Sequence, residues 1–336
     1  PVKVLYISYN ALDEPLVQSQ VLPYLRLLVS KGFTFQLITF ERKGDFNFPL
    51  EKELEIGIKW IPVAQTGGSV GRTRALFFAW RLARKAIKTR RIKLLHARSY
   101  IPAMIANLAC RKTGVPWLFD MRGFWVDEKV LKGNLRTGSI AYRILKGIES
   151  NLLRNSSAIV SLTHIAIPRL REISGLAELP AYAVIPTCVD LEHFKLSTRT
   201  RDADNQITFG YVGSLGAGYS NDDVTQFLEY GLDTVPNSRA LIISRSDPKV
   251  LQSLLDRLSR FGSRVECTSA TYEEMPKKIG EMDVGLSFIT PHPSKDASAP
   301  TKIAEYLACG VFVISNRGIG DIDGILEEGN VGVSIK

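Results

Sequence analysis

The chain is poor in the residues that build stapled, metal-bound or membrane-spanning proteins. Only four cysteines occur in 336 residues, Cys110, Cys188, Cys267 and Cys309, far apart and without a CxxC spacing or neighbouring histidines. That pattern suggests neither a disulfide framework nor a zinc site, and it fits a reducing cytosol. No run of 18 apolar residues is present, so no segment reads as a spanning helix. The apolar run at residues 2–9 is too short for a signal-peptide core and reads as a first strand. A GxGxxG fingerprint is missing too, which argues against a dinucleotide cofactor. Two DxD triplets occur, at Asp202-Ala203-Asp204 and Asp321-Ile322-Asp323. So short a pattern arises by chance, and no metal is expected. Nor is there a basic-aromatic motif of a nucleic-acid reader, so no nucleic-acid partner is expected.

What is present is unevenly charged. The net charge is +9, but residues 1–196 hold 29 Lys+Arg against 15 Asp+Glu, and the remainder holds 14 against 19. One half alone therefore suits an anionic partner such as a membrane surface. The helix expected over residues 72–91 has the same bias. Leu76, Trp80, Ala83 and Ile87 form its apolar stripe, with Arg81, Arg84, Lys85 and Lys88 gathered beside Phe77 on an adjoining face. Such a face could rest on anionic lipid.

The chain is long enough for two domains. Residues 2–8 suit a buried parallel strand, a helix is expected over 19–31, and a second strand over 33–40. Repeated down the chain, this strand-loop-helix order is that of a doubly wound α/β sheet, whose ligands bind beyond the carboxyl ends of the strands. Strands are expected near residues 56–63, 93–96, 116–119 and 157–162. Asp120, Arg122, Asp127 and Glu128 fall at or just past one of these strand ends. The polar, charge-rich segment 195–206 reads as a linker, which gives domains 1–196 and 197–336. The winding restarts at 207–212, and a glycine-rich loop, 213–218, follows at once. Such a loop between strand and helix lets the backbone approach a diphosphate.

The stretch 296–310, DASAPTKIAEYLACG, is the most informative. Pro300 suits the first turn of a helix, Ser298 is a fair N-cap, and Gly310 supplies the stop. A helix start carrying Thr301 and Lys302 is a ready phosphate site. Glu305, one turn further on, could accept hydrogen bonds from sugar hydroxyls. An ordinary α/β helix with solvated Lys302 and Glu305 fits the same residues.

Taken together, IPTCVDLEHF, FGYVGSLGAGYS and APTKIAEYLACGVFVIS, in this order and spacing, resemble the group 1 (family 4-like) retaining glycosyltransferases of GT-B fold. SYNALDEPLVQSQVLPYL and FDMRGFWVDE look like the acceptor-side loops of members that build bacterial surface polysaccharides. The resemblance implies two Rossmann-like domains facing across a cleft, with an acceptor-side N-terminal domain and a nucleotide-sugar-binding C-terminal domain. It also implies crossing helices beyond Lys336. Glu305 matches the second glutamate of the family's pair, which holds the donor ribose; the first falls at Ala297, or loosely at Asp296. The implied donor contacts are Gly213, Ser214, Arg245, Ser298, Pro300, Thr301, Lys302 and Glu305, with Lys302 and Arg245 replacing the family's basic residues near the glycine loop. Asp120 stands where the family often has a histidine. With Arg122 and Glu128 it is expected at the catalytic centre.

The expected activity is transfer of a sugar from a UDP- or GDP-sugar to a saccharide or lipid-linked acceptor with retention, without a metal or other cofactor. The expected location is cytoplasmic, peripheral on the inner face of the cell membrane, in polysaccharide or glycolipid assembly. Two other readings stand beside it: a sugar-nucleotide epimerase of the same fold, and a glycosyltransferase-like binding subunit without catalysis.

Overall fold

Val2–Ser8 forms the first strand (β1), and its last five residues are all buried, as a β-branched run flanked by helices requires. The computed structural model describes residues 1–42, 52–89, 92–196, 206–216 and 220–336. Ala217 and Gly218 of the glycine loop, Arg91, residues 197–205 of the expected linker, and with them Asp202-Ala203-Asp204, lie outside the described residues.

After β1 the first sheet takes in β2 (Phe33–Glu41), β3 (Lys52–Glu55), β4 (Ile58–Ala64), β5 (Leu94–Arg98), β6 (Trp117–Asp120), β7 (Ala158–Ser161) and β8 (Ala181–Val184). Their order across the sheet is β3-β4-β2-β1-β5-β6-β7-β8, with only β3 antiparallel to its neighbour. The sheet thus winds outward from β1 in both directions, and the reversal falls between β1 and β5.

Three local expectations change in this sheet and its helices. The strand expected over 56–63 is one arm of a hairpin: Ile56 is 90% exposed in the turn and Gly57 takes φ +82. The helix expected over 19–31 is two helices, Pro15–Gln20 and Leu22–Ser30. Pro23 cannot donate to a preceding turn, so the chain breaks at Val21 (φ −124, ψ −61). The basic helix spans Gly68–Thr89, and its buried seam is Ala75, Ala79, Ala83 and Ala86 rather than the larger stripe expected. It packs on the helix Tyr100–Cys110, whose Ala103, Ala106 and Ala109 are buried as well. Small residues on both sides let the two backbones approach, and Leu76, Trp80 and Ile87 are left half-buried at the margin.

The second sheet contains β9 (Ile207–Val212), β10 (Ser238–Ile243), β11 (Val265–Thr268), β12 (Val284–Ser287), β13 (Phe312–Asn316) and β14 (Gly332–Ile335), in the order β11-β10-β9-β12-β13-β14. All its pairings are parallel, and the winding reverses between β9 and β12. Two helices that sequence pattern did not single out, Trp125–Leu131 and Pro248–Leu258, complete the layers that matter below.

The chain divides into compact units Pro1–Pro186 and Thr187–Lys336, ten residues before the expected boundary at 196. Side chains explain the difference. Thr187 Oγ1 donates to the Ala299 carbonyl at 2.6 Å, His193 Nε2 lies 2.9 Å from the Tyr272 carbonyl oxygen, and Phe194 is buried in the core of the second unit.

Candidate functional site

In the second unit the site grows from the carboxyl ends of β9 and β12. Open parallel sheets bind ligands where the strand order reverses, because the crossovers there diverge to opposite faces. Tyr306 fixes the geometry. Its ring fills the space beside Gly285, where a Cβ would come within 2.6 Å of it. Its hydroxyl accepts from the Val212 amide at 2.8 Å and donates to the Leu286 carbonyl at 3.3 Å. One side chain thereby ties the helix Thr301–Ala308 to both strands at the reversal.

The helix begins one residue later than expected. Pro300 is itself the cap residue (φ −64, ψ 121), and no side chain caps the helix start. Ser298 instead ends the short 3-10 turn Pro293–Ala297, in extended conformation. The reason is local: a proline disfavours helical backbone in the residue before it, so Ala299 stays outside the helix and Ser298 falls outside capping position. Thr301 is half-buried in the first turn.

Lys302 is 8% exposed and turns back toward β9. Its ammonium lies 4.2 Å from the centroid of the Tyr211 ring. Gly213 must be glycine here, because its φ is +123 and a Cβ would lie 3.2 Å from Lys302 Nζ. Burial pushes the Lys302 pKa down to about 7, against the pull of Glu305. Burial likewise pushes half-buried Glu305 up to about 7, against the pull of Lys302. An anion placed at the helix start would restore the charge on Lys302.

The loop amides are less open than their glycines imply. Gly213 N–H donates to the Ile243 carbonyl (3.0 Å), Leu215 N–H to Ser246 Oγ (2.6 Å) and Gly216 N–H to Asn221 Oδ1 (3.1 Å). Only the amide of exposed Ser214 has no partner among the described loop residues. Gly213 thus serves the site through its missing side chain, not through its N–H. Arg245 is exposed at the end of β10, and its guanidinium donates to the Ala270 carbonyl. No hydrogen bond joins it to Gly213 or Lys302 among the described residues. Ala297 is 1% exposed, so the position aligned with the missing glutamate is a packed one.

In the first unit Asp120 ends β6 with 6% exposure. Its carboxylate accepts from Arg122 at 3.3 Å and lies 3.3 Å from His96 Nε2. Burial alone would raise its pKa, but Arg122, His96 and Arg98 outweigh that and hold the carboxyl well below the usual range. Asp120 is therefore a standing anion at neutral pH, suited to accepting hydrogen bonds rather than donating a proton. Glu128 is half-buried on the next helix and takes no part in this cluster.

Asp127 beside it does something the sequence did not disclose. Lys146 Nζ donates to Asp127 and to Glu149 at 2.7 Å each, Arg169 reaches Asp127 at 3.1 Å, and Tyr100 donates to Glu149. This buried network clamps the Trp125–Leu131 helix, and so Glu128, in place. Lys146 and Glu149 lie three residues apart on one helix, but no local spacing ties them to Asp127, Arg169 and Tyr100, which come from three others.

Residues 17–188, just over half of the chain, match the family described as the glycosyl transferase 4-like domain. No curated protein matches the chain. Among solved structures, sucrose-phosphate synthase from Thermosynechococcus elongatus is similar with a TM-score of 0.75 at 16% identity, over all of this chain and 86% of that one. Anabaena HepE in complex with UDP and glucose gives 0.67 at 14% identity, covering 100% and 86%. The trehalose 6-phosphate synthase of Burkholderia multivorans gives 0.68 at 13%, covering 99% and 87%. At such identities the likeness speaks for the fold, and that fold is GT-B, with two Rossmann-like domains. Two doubly wound sheets, each with polar groups gathered at its strand reversal, and a family match across the first of them make this chain a member of the glycosyl transferase 4-like family.

Proposed function

We propose that the chain moves a sugar from a nucleoside-diphosphate donor to an acceptor hydroxyl with retention of anomeric configuration and without a metal. The observation that carries the reading is buried Lys302, held against Gly213 and Tyr211 at an uncapped helix start, with Glu305 one turn on. Breaking the bond between the anomeric carbon and the diphosphate oxygen leaves negative charge on the diphosphate. Lys302, the helix start at Pro300 and Thr301, and the Ser214 amide stabilise that charge. Glu305 accepts from the ribose hydroxyls, and Ser298 lines the approach. Arg245 contributes only by leaving the Ala270 carbonyl. The acceptor hydroxyl attacks on the face the diphosphate leaves, so no protein nucleophile is needed. Asp120, Arg122 and Glu128 orient sugar hydroxyls. That HepE binds UDP with glucose supports a UDP-sugar as the first donor to try, ahead of a GDP-sugar.

The acceptor is a saccharide or lipid-linked sugar at an anionic membrane surface, in polysaccharide or glycolipid assembly. What favours this is the outer face of the Gly68–Thr89 helix, where Arg74, Phe77, Arg81, Lys85 and Lys88 form one exposed stripe opposite the alanine seam. Phe77 is 54% exposed with Arg81 over its ring.

A thermal-shift screen against UDP, GDP, ADP and their sugar conjugates tests the donor site, because a ligand that binds only the folded state raises the melting temperature. Lys302→Met and Glu305→Gln are expected to remove the shift and to lower turnover by roughly tenfold or more. Near-unchanged rates in both variants would overturn the assignment.

A further inference from the structure

The strand reversal of the first unit also carries unspent polar groups. Ser8, the last residue of β1, pairs in register with Arg98, the last of β5, and Arg98 pairs with Asp120, the last of β6. Paired residues of adjacent strands point to one face, so the three side chains stand in a row at the carboxyl edge of the sheet. Ser8 is fully buried and its hydroxyl has no hydrogen-bond partner among the described residues. Arg98 is 4% exposed, and its Nε has no partner either. A guanidinium cannot shed its charge at any ordinary pH. The site therefore holds a buried cation without a bonded anion among the described residues.

The surroundings do not neutralise it. Among the described residues the carboxylate at hand is Asp120, which already accepts from Arg122 and lies at hydrogen-bond distance from His96, so Arg98 and Arg122 face a single negative charge. Burial lowers the Arg98 pKa, with Arg122 adding to it and Tyr6, Asp120 and Tyr24 opposing. Next in the chain, Ser99 takes φ 72 and ψ −179, a backbone region that is essentially reserved for glycine. That strained residue opens the helix Tyr100–Cys110, and no side-chain hydrogen bond caps it. Strain of this kind persists where the surroundings over-determine it, commonly at ligand clamps. The N-terminal end of an eleven-residue helix, a forked cation and a hydroxyl thus converge where the sheet reverses.

We propose that this edge of the first unit binds a phosphate group, with Arg98 as a two-pronged donor, Ser8 as a hydroxyl donor and Arg122 as the second cation. The ligand class is a phosphate ester. Its source is either a phosphorylated acceptor or the donor's own diphosphate, and only this last distinction rests on the glycosyl-transfer reading.

Titration calorimetry and melting curves of the whole chain, with inorganic phosphate, a hexose 6-phosphate and UDP as probes, test the proposal. Arg98→Met keeps the volume and removes the charge. It is expected to raise the melting temperature in anion-free buffer and to weaken phosphate binding by about tenfold or more, with Ser8→Ala weakening it less. Loss of the hexose 6-phosphate response alone assigns the phosphate to the acceptor; loss of the UDP response assigns it to the donor. Either result supports the site. Anion affinities within twofold of the parent in folded Arg98→Met would overturn it, as would a lowered melting temperature with unchanged affinities. Should Arg98→Met fail to fold, Arg98→Lys decides, since it keeps the charge but loses the fork; unchanged phosphate affinity there also overturns the proposal. Failure of the donor site in the second unit shows separately, as UDP affinity unmoved by Lys302→Met.

Discussion

Lys302 and Glu305 show how one turn of helix becomes an electrostatic device. Both are displaced from their ordinary titration ranges by burial, in opposite directions, and each partly offsets the other. The folded-state pKa of Glu305, about 7, lies above its unfolded value of 4.5, so its contribution to stability is present below 4.5 and lost as pH rises to about 7. For Lys302 the folded value, also about 7, lies below 10.5, so its contribution is present above 10.5 and lost as pH falls to about 7. The pair is therefore least favourable near neutrality. In urea unfolding at pH 5, 7 and 9, the double variant Lys302→Met/Glu305→Gln is expected to gain most over the parent at pH 7. A gain that is flat with pH would mean the two groups titrate normally. Helical spacing placed these residues at a helix start, but Tyr211 lies about ninety positions upstream, and no local pattern reveals that its ring lies beside the ammonium.

At the scale of elements, the Trp125–Leu131 helix illustrates why half of a site stays hidden in a sequence. Asp127 was visible as a polar residue past a strand end, yet its partners Lys146 and Arg169 arrive on two later helices. Removing Lys146 would strip fully buried Glu149 of its cation, while Asp127 keeps Arg169. Lys146→Met is expected to cost about 3–5 kcal/mol in chemical denaturation, the usual result of breaking a buried pair from one side. A loss no larger than that of an exposed ion pair would show that water reaches the network. The Gly68–Thr89 helix teaches the converse. Its length and basic face were readable from composition and period, but the buried seam is alanine because the neighbouring helix also presents alanines, and close approach was worth more than bulk.

For the molecule as a whole, two sheets of the same winding carry opposite charge balances, and the basic one bears the exposed cationic stripe. Arg84, expected in that stripe, is half-buried and turned toward the Ala109 carbonyl, so Arg81, Lys85 and Lys88 are the residues to reverse. On a membrane each would contribute roughly 1 kcal/mol near anionic headgroups. Co-sedimentation with phosphatidylserine vesicles is expected to fall sharply in the triple Glu variant, with donor binding intact. Vesicle binding equal to the parent's would remove this helix from any membrane role.

By itself the sequence determined the alternating strand-and-helix order of a doubly wound fold, the two-unit organisation, the helix start around Pro300 and the charge asymmetry. Each follows from patterns within one element: apolar β-branched runs, helical periodicity, glycine and proline stops. Only the tertiary structure decided that Thr187–Leu196 belongs with the second unit, that the Gly213 amide is consumed by Ile243, and that Ser8, Arg98 and Asp120 stand abreast. Those facts depend on the register between strands far apart in the chain. Register is set by the packing of whole faces, which no single stretch encodes.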